Sequence, residues 1–99
     1  MLYAIIGEDV EGSGEKRLDA RPAHLKRLEA LKEDGRLILA GPFPSVDCPD
    51  PTQAGCSGSL IVAEFDSMGD AVQWADADPY VQAGVYAQVE VKPFRKVLP

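Results

Sequence analysis

His24 is the single histidine of the chain, and imidazole, with an unperturbed pKa of about 6.5, both takes and gives a proton near neutrality. It follows Arg21 by three positions and precedes Leu28 by four, so on a helix it shares an inward stripe with Arg17, Arg21, Leu28 and Leu31. An inward histidine is either a packed, hydrogen-bonded side chain or an acid–base group, and spacing alone leaves both open. A carboxylate on one ring nitrogen would fix the tautomer and leave the other nitrogen basic. Asp34, Asp76 and Asp78 compete for that place; the plain reading of Asp78 is a turn former before Pro79. A position near a helix start would also let the positive end of the helix favour neutral imidazole.

Other residues could hold a ligand. Arg17 and Arg21 carry guanidinium groups that match planar anions with two parallel hydrogen bonds, or else form surface salt bridges. Ser59 and Tyr80 offer hydroxyl donors, and Gly41-Pro42 offers a backbone that a ligand can approach closely. Gly58-Ser59 is not a nucleophile elbow, because the G-x-S-x-G pattern is absent. Cys48 and Cys56 are eight positions apart in a Pro- and Gly-rich segment, a spacing of no common zinc or redox motif. Both thiols are expected to be reduced loop residues, and no metal or cofactor is expected.

The elements that must position these groups follow from the hydrophobic pattern. Leu2 to Gly7 reads as a buried strand ending in Glu8-Asp9, and Val10 to Gly14 as a loop. Asp19 to Asp34 reads as a helix with Pro22 in its first turn, Gly35 as its stop, and Leu18, Leu25, Leu28 and Leu31 on one face. Arg36 to Pro42 is a second strand broken at Gly41-Pro42, followed by a long loop from Phe43 to Gly55; the stretch from Phe43 to Gly58 is expected to border the pocket. Ser59 to Phe65 is a third strand. Asp66-Ser67 caps a second helix, Met68 to Ala77, which Asp78-Pro79 ends. Val85 to Val91 is the last strand, with Val85, Ala87, Val89 and Val91 on one face.

The order β-α-β-β-α-β is the split β-α-β, or ferredoxin-like, arrangement: an α+β fold with an antiparallel four-stranded sheet and two helices on one face. The other face is left uncovered, so a second copy is expected to cover it, face to face. The 99 residues, 45% hydrophobic, make one domain over 1–99. No apolar run approaches a membrane span, and Met1 to Ala4 lacks a basic secretory start, so a cytoplasmic location is expected. A formal charge of −6 and a pI near 4.6 argue against a nucleic-acid partner, whose phosphates would be repelled.

Four stretches carry a resemblance along nearly the whole chain: Glu15-Lys16-Arg17-Leu18 with Arg21-Pro22-Ala23-His24-Leu25; Gly35-Arg36-Leu37 through Ala40-Gly41-Pro42; Gly55 with Gly58-Ser59; and Trp74 to Tyr80 with Ala83-Gly84-Val85-Tyr86. With the closing Val91 to Val97, the chain resembles the YciI-like family. That resemblance implies a dimeric α+β barrel similar to the muconolactone isomerases, with a pocket histidine and aspartate that map to His24 and Asp78. It also implies kinship with enzymes that eliminate hydrogen chloride from chlorinated muconolactones. Two functional readings follow. One is a cofactor-independent lyase or isomerase acting on a small anionic lactone or acid; the other is a non-catalytic metabolite-binding or structural module.

Overall fold

The computed structural model describes residues 1–47 and 55–99. Four strands form one antiparallel sheet in the order β2-β3-β1-β4: β1 Leu2–Asp9, β2 Leu37–Pro44, β3 Cys56–Glu64 and β4 Tyr86–Phe94. Helices α1 Gly14–Glu33 and α2 Met68–Asp76 cross one face, and a one-turn helix, α3 Pro79–Gln82, precedes β4. This is the ferredoxin-like α+β arrangement that the element order predicts.

Alternation decides which side chains meet the helices. Tyr3 and Ile5 of β1 and Ile61 and Ala63 of β3 point to the helix side, where they pack with Leu28 and Leu31 of α1, Ala71 and Ala75 of α2, and Phe65. A smaller cluster of Tyr80, Val85 and Tyr86 closes the end where α3 meets α1. Among the described residues, no helix is long and apolar enough to cross a membrane.

Helix α1 begins at Gly14 rather than Asp19, five residues before the position read from the sequence. Pro22 therefore lies inside the helix, where it can donate no hydrogen bond to the Leu18 carbonyl. His24 is likewise mid-helix, too far from the N-terminus for the helix dipole to act on it. Leu18 is 70% exposed and Leu25 is also exposed, so the buried stripe is His24, Leu28 and Leu31, with the two other leucines about a quarter-turn away. The stop at Gly35 is as expected: its φ is 72°, and Arg36 N–H bonds the Leu31 carbonyl while Gly35 N–H bonds that of Lys32, a Schellman ending.

Gly41-Pro42 does not break β2, which continues to Pro44. β2 is an edge strand, bonded to β3 alone, so a residue without an N–H can sit there with its nitrogen facing outward. Phe43 and Pro44 therefore belong to β2 and Cys56 to β3, and the loop expected over residues 48–54 lies outside the described residues. Cys48 lies outside the described residues, and with it the reading of the two thiols. In β4 the register shifts between the pairs Glu8–Gln88 and Asp9–Tyr86. That bulge leaves Ala87 exposed and puts Tyr86, not Ala87, on the buried face with Val89.

Candidate functional site

Asp78 comes to His24 through a turn that the sequence marks twice. After α2 the backbone of Asp78 is extended (φ −62°, ψ 133°), its carboxylate accepts the Tyr80 N–H at 2.9 Å, and Pro79 supplies the first helical residue of α3. The Asp-Pro pair thus starts a helix as well as ending one. Gly84, at φ 76°, stops α3 with Val85 N–H on the Tyr80 carbonyl, which fixes the Tyr80 ring between α1 and the sheet.

The result is a buried pair. His24 Nδ1 lies 2.9 Å from Asp78 Oδ1 and 3.0 Å from Oδ2, with side chains 8% and 3% exposed. An ionised carboxylate can only accept, so Nδ1 carries the hydrogen and Nε2 is the nitrogen left for a ligand. The imidazole stacks on Tyr80 at 4.0 Å between centroids and 13° between planes, and Tyr86 meets Tyr80 edge-on at 5.4 Å.

Arg17, two helical turns before His24, lies over the same Tyr80 ring at 4.7 Å. The guanidinium and the imidazole thus both lie against the Tyr80 ring. Arg17 Nε donates to Asp9 Oδ2 at 2.9 Å, and Nη2 donates to the Gly58 carbonyl at 3.1 Å and to Ser59 Oγ. Burial would lower the Arg17 pKa, but the hydrogen bond and charge of Asp9, together with Tyr80 and Cys56, hold the group above its ordinary value. Burial pushes the Tyr86 phenol strongly up, against smaller opposing effects of a Ser59 hydrogen bond and the Arg17 charge. Tyr80 is raised for the same first reason.

These groups border a cavity of about 160 Å³ between α1 and the β2–β3 edge of the sheet. Arg17, Arg21, His24, Gly41, Pro42, Ser59 and Tyr80 all line it, with Asp78 behind His24. Seven of the eight residues singled out in the sequence thus surround one space, and the eighth touches it through the imidazole. Arg21 is exposed at the rim, whereas Arg17 is already engaged by Asp9, Gly58 and Ser59. A larger hollow of about 390 Å³, bounded by Arg36, Glu64 and Asp70, lies at the opposite end of the sheet.

The sequence reading missed Asp9, Arg27 and Tyr86. Arg27 donates to the Trp74 carbonyl at 2.7 Å and lies 4.2 Å over that indole; burial lowers its pKa, while the nearby Asp78 charge opposes the shift. Two glycines make room for Tyr86 and the strand crossing beneath it. A Cβ on Gly7 would fall 2.6 Å from the Tyr86 ring, and one on Gly58 would run into the Gly7 carbonyl oxygen. A glycine inside an apolar strand is the signal that pointed there, because it marks a close approach.

Known proteins share this architecture and sequence. The chain is 59% identical over 97 residues to Protein YciI of Escherichia coli O6:H1, covering 98% of this chain and 99% of that one. It is 48% identical over 97 residues to an uncharacterised protein of Haemophilus influenzae, with the same coverage. The structure of the 5-chloro-2-hydroxyhydroquinone dehydrochlorinase TftG from Burkholderia phenoliruptrix AC1100, in complex with 2,5-dihydroxybenzoquinone, superposes with a TM-score of 0.85. That match has 28% identity and covers 96% of this chain and 94% of the other. The family model for the YCII-related domain matches residues 1–95, and the chain therefore belongs to the YCII-related domain family.

Proposed function

We propose that the chain is a cofactor-independent lyase or isomerase that moves a proton on a small anionic lactone or ring acid, with His24 as the acid–base group. The observation that carries this reading is the contact of His24 Nδ1 with both Asp78 oxygens while the imidazole borders the cavity. Nε2 takes a proton from the carbon beside a carbonyl, and the C–H electron pair passes into the enolate. Where a halide sits on the next carbon, that pair expels it, and hydrogen halide is the net loss. Asp78 holds the ring and stabilises the imidazolium; acid–base groups of this kind contribute about 10²- to 10⁴-fold. Arg21 at the rim is placed for the substrate anion, with Ser59 and the Gly41-Pro42 backbone beside it. The dehydrochlorinase and its planar dihydroxyquinone ligand support both the reaction class and a flat, oxygen-rich substrate.

The working unit in this reading is a homodimer. Leu39, Phe43 and Phe94 are exposed on the sheet side away from the helices, alongside Ile6 and Leu60. An apolar face of this kind is what a second copy covers.

The test uses muconolactone and a chlorinated analogue in D2O, read by proton NMR and chloride release. Wild type should exchange the proton beside the carbonyl or release chloride, and His24→Ala should do neither. Turnover by His24→Ala equal to that of wild type would overturn the assignment.

A further inference from the structure

Asp9 is a buried ionisable group beside the site for which the proposed reaction has no use. It sits opposite Tyr86 at the end of the β1–β4 pairing, on the helix side of the sheet, with its side chain 3% exposed. Oδ2 accepts from Arg17, while Oδ1 has no hydrogen-bond partner among the described residues. A buried carboxylate with an idle oxygen is costly to keep, and the one compensation the structure gives it is the Arg17 guanidinium.

That guanidinium touches three parts of the cavity at once. It donates to the Ser59 hydroxyl, donates to the Gly58 carbonyl, and lies over the Tyr80 ring on which His24 stacks. Its orientation is set at Nε, and Nε is held by Asp9 alone among the described residues. Without that counter-charge the largely buried cation would turn toward solvent, and Ser59 and Tyr80 would lose their contact with it.

We infer that Asp9 is a positioning residue that acts through Arg17, aligning the Ser59 hydroxyl and the Tyr80 ring against His24 and leaving Arg21 as the guanidinium free to meet an anionic ligand. The inference rests on the reading of His24 as the reacting group, but its test needs no substrate. A failure of the proposed reaction leaves the test's outcome unaffected.

His24, as the single histidine, gives unambiguous imidazole lines in an NMR spectrum, displaced by the ring current of the stacked Tyr80. In Asp9→Ala the displacement of the His24 ring protons should fall by about half or more, while the lines of Leu31 and Ala71 in the main core stay in place. Arg17→Met should do the same. The double variant should be no worse than either single one, because residues in one chain of contacts are not additive. Asp9→Asn, which removes the charge and keeps the volume, covers the case in which Asp9→Ala does not fold and should move the same lines in the same direction. Unmoved His24 lines in the folded Asp9 variants, Leu31 and Ala71 lines that move as far as those of His24, or an additive double variant would each overturn the inference.

Discussion

His24 and Asp78 meet at 2.9 Å although 54 positions separate them in the chain. The contact depends on one carboxylate doing two things, since Asp78 Oδ1 also accepts the Tyr80 N–H that starts α3. Asp78→Ala should therefore lose stability as well as ring orientation. A lost helix cap and an orphaned buried donor together cost about 2–4 kcal/mol. Asp78→Asn keeps an oxygen for the cap and should lose markedly less. Urea unfolding of both variants checks this; equal and negligible losses would show that the cap contributes nothing.

Gly7→Ala should destabilise the fold by about 1–3 kcal/mol, the usual cost of forcing an extra carbon into a packed site. The new Cβ would meet the Tyr86 ring at 2.6 Å, so the ring must shift. Thermal unfolding reads the loss, and an unchanged midpoint would mean that the ring has room the structure does not give it.

Much of this was legible in the chain itself. The stripe of Arg17, Arg21, His24, Leu28 and Leu31 was readable because helical spacing alone brings those residues together. The end of α1 was readable because Gly35 has the residue type that a Schellman ending needs. The start of α1 was not, since Ser13-Gly14 resembles a loop and Pro22 resembles a first-turn residue; tertiary packing carries the helix through both. α3 was hidden by the double meaning of Asp78-Pro79. Tyr86 was hidden by the bulge at Ala87, because simple alternation puts its neighbours on the buried face. Asp9 had no local signal, and its role follows only from where Arg17 arrives in three dimensions.

Stability should fall as the solution becomes alkaline, through Tyr86. Burial raises its folded pKa above the ordinary phenol value of about 10, so above that pH the unfolded chain loses a proton that the folded chain keeps. The stabilisation is complete below pH about 10 and is lost progressively as pH rises toward the folded value. Tyr86→Phe should flatten this alkaline decline in a pH series of denaturant midpoints. An identical decline in the variant would assign it to other groups.

Light scattering at micromolar concentration should give the mass of two chains. Leu39→Lys with Phe43→Lys should shift the protein to monomer, since like charges on an apolar face oppose its burial. A wild-type mass of one chain at every concentration would remove the homodimer.

The orientation of the His24 ring is the point on which the account turns, and a ¹⁵N NMR spectrum of the neutral imidazole reads it directly. The predicted result is hydrogen on Nδ1, donated to Asp78, with Nε2 unprotonated and free to accept a proton; Asp78→Asn should disturb that preference. Hydrogen on Nε2 with a bare Nδ1 in the wild-type protein, or a tautomer indifferent to Asp78, would contradict the account.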